Sequence, residues 1–344
     1  MSTRASVVAG WSTFGSGRTL GSPGVQRDPS IDALRGVAVL LMSLGNFELG
    51  VDWVPAWLKH TPDVGYTIAD LIAPTFIVVS GFAIGPAIAR RTRVGAPKAL
   101  GWLARRSVEL IGIGAVISAG QAALKPLPGI DMSWGVLQSI GGASLLLATV
   151  ILAPTWVRVV GGAMLLAIYQ GILGGSWGDS VLHTVQGGLP GTLSWGGLMI
   201  VSSAVADGWR ALPGRSRTGL LVASGMFASG TGLGLSDWFP ISKNQVSATY
   251  ILLSLGLGLL AFALADLWFR VRPDSVMWLQ RIGRHALQLY FAQLLLLAPL
   301  TLSNDAFWYS GAPAALTFIE ATVIGAVVIA LAALLDRRGW AVHL

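Results

Sequence analysis

The sequence predicts an all-α, polytopic membrane protein: a helix bundle with about ten transmembrane helices and both termini on the cytoplasmic side. Three observations predict it. Of 344 residues, 53% are hydrophobic and 11% charged, whereas soluble domains average about 25% charged. Apolar runs of about 20 residues, long enough to cross the hydrocarbon core as helices, recur ten times. The basic residues fall between those runs on one side only. With the N-terminus inside, 20 of the 23 lysines and arginines collect in the cytoplasmic loops and helix ends, and only Lys59, Lys125 and Lys243 lie opposite. A miscounted helix would invert everything downstream, so this asymmetry is an independent check on the count.

Residues 1–27 are polar and rich in glycine and serine, carry Arg4, Arg18 and Arg27, and contain no signal-peptide core. They are expected to form a disordered cytoplasmic tail, with residues 28–344 as the transmembrane domain. The ten runs lie at 31–48, 67–88, 106–123, 134–153, 157–174, 191–207, 217–235, 247–268, 284–302 and 315–335. The loops between them are short, so chemistry is expected in a cavity between helices, where polar side chains are expensive. The net charge of +7 does not indicate nucleic acid, because the basic residues punctuate apolar runs rather than forming a soluble face. Cysteine is absent and the four histidines, at 60, 183, 285 and 343, are scattered; no metal is expected.

Within the first run, Arg35 and Asn46 are eleven residues apart, three helical turns, and so share one face about 16 Å apart. One polar residue marks each membrane boundary. The following loop carries Lys59, His60 and Asp63, and the second run opens with Asp70. Lys59 would keep the imidazole neutral and a carboxylate would orient it, as a general base requires. A bland loop histidine, and helix capping by Asp70, explain the same residues. Asp70, Pro74, Ile77, Gly81 and Gly85 line one helix face, a lane of small residues open to a narrow substrate or to close helix packing.

The runs SIDALRGVAVLLMSLGNF, WLKH, GYTIADLIAPTFIVVSGFAI, SWGVLQSIG and PISKNQVSATYILLSLG resemble the heparan-alpha-glucosaminide N-acetyltransferase family and its bacterial relatives. The resemblance implies a multi-helix enzyme that takes an acetyl or other acyl group from cytoplasmic acyl-CoA and passes it to an acceptor across the membrane. It places the family's active-site histidine at His60 and its supporting asparagine at Asn46. A second family of membrane acyltransferases carries R-x10-H in its first helix; counted from Arg35 the histidine position here is Asn46, which leaves the role of base to His60.

On this reading acetyl-CoA, or another acyl-CoA, is the donor, with Arg105 and Arg106 near its phosphates; positive-inside topology explains the same pair. Lys243 and Asn244 would hold the acceptor or stabilise the thioester oxyanion, with helix capping as the alternative for Asn244. Gln138 would line the channel or pack against a neighbouring helix. The acceptor is a hydroxyl or amine of an extracytoplasmic glycan or glycolipid, and the enzyme sits among lipids of the inner membrane. Homo-oligomerisation is left open. The rival reading is a transporter or flippase using Asp70, Glu109, Asp266 and Glu320 as an ion route.

Overall fold

A computed structural model describes residues 28–48, 50–124, 127–175, 177–272, 275, 277–302 and 306–340. The expected tail over 1–27 and the expected exported Lys125 lie outside the described residues. Among the described residues the chain is helical, without strands beyond isolated bridges. The helices are α1 (Pro29–Glu48), α2 (Ile72–Arg91), α3 (Ala96–Leu124), α4 (Val136–Val150), α5 (Thr155–Leu173), α6 (Trp177–Leu182), α7 (Gly188–Ala211), α8 (Gly214–Gly234), α9 (Ala248–Val271), α10 (Met277–Arg284), α11 (Ala286–Thr301) and α12 (Ala314–Arg338).

A helix occupies each of the ten apolar runs, and seven are long and apolar enough to cross a membrane: α1, α2 with its flanking turns, α3, α5, α7 with the turn before it, α9 and α12. This is a multi-pass membrane protein. The three other runs differ for visible reasons. Helices α4 and α11 have 15 and 16 residues, about 24 Å at most by helical rise, short of a hydrocarbon core of about 30 Å. Helix α8 has 21 residues but is diluted by glycine, serine and threonine.

Burial separates the helices into an inner and an outer set. In their most apolar windows α1, α2, α7 and α9 are 50–72% buried, whereas α3, α5 and α12 are 17–28% buried and turn most of their apolar surface outward. Asp28 precedes α1 and its side chain accepts the Ser30 N–H at 2.9 Å, with Pro29 in the first turn where its missing N–H is harmless. Close approach sets the inner packing. A Cβ on Gly81 would lie 2.8 Å from the Met199 carbonyl oxygen and from Ser202 Cβ, so α2 and α7 touch nearly backbone to backbone. The lane of small residues on α2 is thus a packing seam closed by α7. Phe82, Trp209 and Phe262 fill the space below it with ring centroids 4.7–5.9 Å apart.

The start of α1, the end of α2, the start of α3, the end of α7 and the start of α8 share one end of the bundle, since residues from all five line one cavity. Arg35, Arg90, Arg91, Arg106, Arg210 and Arg217 stand there. Asp70 heads α2 at the other end, twenty residues from Arg90, about 30 Å away by helical rise.

Candidate active site

The loop after α1 folds back on itself to carry His60 to the head of α2. A 3-10 turn, Ala69–Leu71, precedes α2 and contains Asp70, whose side chain is fully buried. Burying a carboxylate requires partners, and the loop supplies them. Thr67 donates its backbone N–H at 3.0 Å to Asp70 Oδ2, and Thr61 does the same at 3.3 Å. The hydroxyls of Thr61 and Thr67 lie 3.1 and 2.9 Å from the same oxygen. Oδ1 faces His60 Nδ1 at 2.8 Å and Lys243 Nζ at 3.3 Å. Helix capping, the simpler reading of Asp70, does not describe this: the acid organises the loop.

Lys243 arrives from 173 positions away on a stitched segment. Gly65 N–H donates to the Ile241 carbonyl at 2.9 Å, Lys243 N–H to the Asp63 carbonyl at 3.3 Å, and Ser242 Oγ to Asp63 Oδ1 at 2.5 Å. Asn244 Nδ2 donates to the Pro62 carbonyl at 2.9 Å. The segment turns sharply at Val246, a β-branched residue held at φ +53°, a conformation that costs about 1–3 kcal/mol. Ser194 Oγ holds the Val246 carbonyl at 2.8 Å. The N-cap of α9 is Ser247, whose side chain accepts the Tyr250 N–H, so capping is not the role of Asn244. Tyr250 in turn donates its hydroxyl to the Asp70 carbonyl at 2.8 Å.

An ionised carboxylate only accepts, so His60 Nδ1 carries a proton toward Asp70. In the neutral ring Nε2 then presents its lone pair, and it has no partner among the described residues; the His60 side chain is 27% exposed. That is the tautomer a general base or a nitrogen nucleophile needs. Burial pushes the Lys243 ammonium down from the usual lysine range, with the Asp70 carboxylate opposing that shift. Lys59, the cation expected beside the imidazole, turns instead to the Val51 carbonyl at 2.5 Å. Its place in the site is taken by Lys243.

The other expected residues divide. Asn46 is half-buried in the last turn of α1, one position after Gly45, where a Cβ would lie 3.4 Å from Ile72. It is thus level with the head of α2, but no hydrogen bond joins it to His60. Gln138 is buried and spent on structure: its amide donates to Ser118 Oγ at 3.2 Å and the Ser133 carbonyl at 2.8 Å, and accepts the Gly135 N–H at 3.0 Å. It caps α4 and ties it to α3, rather than lining a channel.

A cavity of about 910 Å³ opens at the opposite end, toward the upper size of small-molecule sites. Phe76, Ser80, Ala83, Ala87 and Arg91 on α2 line it at helical spacing. It therefore reaches from the arginine end to a level six residues, about 9 Å, short of Asp70. Seven arginines line it: Arg35, Arg90, Arg91, Arg106, Arg210, Arg217 and Arg284, with Asp28 and Asp32. The expected Arg105–Arg106 pair is split. Arg106 faces the cavity, while the Arg105 side chain is 81% exposed and pairs with Glu109 at 2.7 Å. Arg91 stacks on Trp102, its guanidinium carbon 3.6 Å from the ring centroid.

The catalytic-region model of the heparan-alpha-glucosaminide N-acetyltransferase family matches residues 27–206, just over half of the 344 residues. The chain belongs to that family. It is 36% identical to the human heparan-alpha-glucosaminide N-acetyltransferase over 120 residues, 33% of this chain and 17% of that protein. With the mouse protein of the same name it shares 34% over 119 residues, 32% of this chain and again 17% of the relative. The match to this family takes in α1 to α6 and most of α7, with His60, Asp70 and Arg106. Lys243, Arg210, Arg217 and Arg284 lie beyond it. Sequence reasoning missed those three arginines as cavity residues, since topology already accounted for each of them; their positions at helix ends were the available signal.

Proposed function

We propose that this protein is a transmembrane acyltransferase that carries an acetyl or other acyl group from cytoplasmic acyl-CoA to an amine or hydroxyl of an extracytoplasmic glycan, in the inner membrane. One observation carries the reading: an arginine-lined cavity along α2 points toward a histidine whose tautomer is fixed by a buried aspartate. Phosphates suit the arginine end, and the thioester arm of acyl-CoA is long enough to extend along α2. The orientation, cavity inward and His60 outward, is supported by the basic residues of the chain. Residues 28–344 act as one domain on this reading.

Two routes use the same atoms. In one, His60 Nε2 attacks the acyl carbon, the C–S bond breaks, and the CoA thiolate leaves; the acceptor nitrogen or oxygen then takes the acyl group from the ring, which returns to neutral imidazole, and the acceptor's proton passes to the thiolate. In the other, Nε2 takes the acceptor's proton as the acceptor attacks the thioester directly, and the proton passes to the departing thiolate. Asp70 stabilises the imidazolium in both. On this reading Lys243 and the Asn46 amide offset charge on the carbonyl oxygen. The names of the relatives specify a glucosaminide amine, so a hexosamine amine is the first acceptor to try.

A transporter would need a polar route across the bundle. Asp266 is instead locked by Arg217 and Arg270 at the arginine end, Glu109 by Arg105, and Asp70 by His60 and Lys243. Proteoliposomes holding a glucosamine oligosaccharide on one side and radiolabelled acetyl-CoA on the other separate the two readings. Labelled oligosaccharide is expected. Oligosaccharide that crosses unlabelled would favour transport.

A further inference from the structure

Two buried donors at the arginine end of the cavity have nothing to donate to. Trp209 is 1% exposed, lines the cavity, and its indole N–H has no hydrogen-bond partner among the described residues. The next residue, Arg210, also lines the cavity and has a buried Nη1 in the same condition, with Asp207 Oδ1 3.9 Å away. Its other nitrogen, Nη2, donates to the Phe82 carbonyl, which fixes the guanidinium. Proteins leave few buried donors unused, and each asks for an explanation.

The surroundings define what would satisfy them. Indole N–H and guanidinium only donate, so the missing partner is an acceptor. Arg210 and Arg217 both lie against the Trp209 ring, their guanidinium carbons 5.7 and 4.7 Å from its centroid. Carboxylates hold the cations from behind: Asp207 is clamped by the buried Arg158, which also donates to Ser203 Oγ at 3.0 Å, and Asp266 by Arg217 and Arg270. Asp28 also faces the cavity. Arginines outnumber carboxylates around the two donors, which favours an anion with several oxygens.

We propose that Trp209 and Arg210 form a phosphate subsite for the nucleotide end of acyl-CoA, with Arg217 adding charge beside the indole. The assignment rests on the acyl-CoA reading, since phosphates are the only anionic groups acetyl-CoA carries. Both residues lie past residue 206, where the family match ends, so the subsite is specified by a part of the chain the match does not reach. It also separates two clusters on the cavity wall: Arg91 and Arg106 around Trp102, and Arg210 and Arg217 around Trp209.

Trp209→Phe keeps the ring and removes the donor. In nanodiscs of neutral phosphatidylcholine, calorimetry should give an acetyl-CoA Kd raised about tenfold, as loss of one hydrogen bond to a charged group predicts, with acetyl-pantetheine, which has no phosphate, unaffected. Arg210→Gln should behave alike and serves if the first variant melts early. Dephospho-acetyl-CoA identifies the phosphate: an undiminished effect assigns the diphosphate, and a lost effect the 3′-phosphate. Equal weakening of both thioesters, or of neither, overturns the subsite while leaving the acyl-CoA reading intact. If anionic phosphatidylglycerol discs weaken wild-type binding and Trp209→Phe abolishes only that competition, a lipid headgroup is the occupant and the proposal fails. A wild-type protein that binds no acetyl-CoA overturns the acyl-CoA reading and the subsite together.

Discussion

Replacing Asp70 with asparagine alters the point on which the site's hydrogen bonds converge. The backbone N–H groups of Thr61 and Thr67 both point at Oδ2, so the asparagine must keep its carbonyl oxygen there. Its NH2 then faces His60 and Lys243, which meet Oδ1 at 2.8 and 3.3 Å. An imidazole facing a donor presents Nδ1 as acceptor and carries its proton on Nε2, so the lone pair needed for either route is lost. The same carboxylate-to-amide change in a Ser-His-Asp triad lowers kcat about 10⁴-fold, and a general base alone contributes about 10²–10⁴. A loss of about a thousandfold or more is expected. Stability falls as well. Lys243, 15% exposed, loses its counter-ion, and a half-broken buried pair costs about 3–5 kcal/mol. Adding Lys243→Met removes the stranded ammonium and should restore most of the melting temperature but none of the turnover of radiolabelled acetyl-CoA. Turnover of Asp70→Asn within about threefold of wild type, or its recovery in the double variant, would refute the tautomer argument.

Two further outcomes follow from the geometry. Arg106→Ala should weaken acetyl-CoA binding about tenfold, by loss of a charge-assisted phosphate contact, while Arg105→Ala, outside the cavity, should stay within about twofold in the same titration. Single cysteines at Asn244 and Arg215, introduced into this cysteine-free chain, should differ in intact cells: an impermeant thiol reagent should label the first and spare the second, and labelling of Arg215→Cys would reverse the orientation.

Much of the helical plan was legible because apolar run length and basic-residue sidedness are local, additive signals. The membrane-crossing capacity of α4, α8 and α11 was less so, since run length in sequence overstates α4 and α11, which end at Val150 and Thr301. The neighbourhood of His60 and Asp70 was readable from ten residues of sequence, but the cation was misassigned. Lys59 and Lys243 look alike in sequence, and only the pairing of residues 63–65 with 241–243 brings the distant one to Asp70. Gln138 was ambiguous because a buried amide can serve a channel or a cap, and the choice depends on Ser118, twenty residues earlier. The cavity arginines were hidden in plain view: the positive-inside rule gives every arginine assigned to the cytoplasmic side a reason to exist, so it cannot distinguish Arg106 and Arg210 from Arg105.

The central claim is that His60 Nε2 handles the acyl group or the acceptor's proton. His60→Ala should leave the fold intact, since a partly exposed loop histidine contributes little packing, and should lower transfer from radiolabelled acetyl-CoA to a glucosamine oligosaccharide by at least about a hundredfold. With acetyl-CoA alone, hydroxylamine-labile label on wild-type protein and none on the variant identifies the acyl-histidine route; label on neither identifies the direct one. A His60→Ala protein that folds and transfers acetyl groups at the wild-type rate would contradict the account.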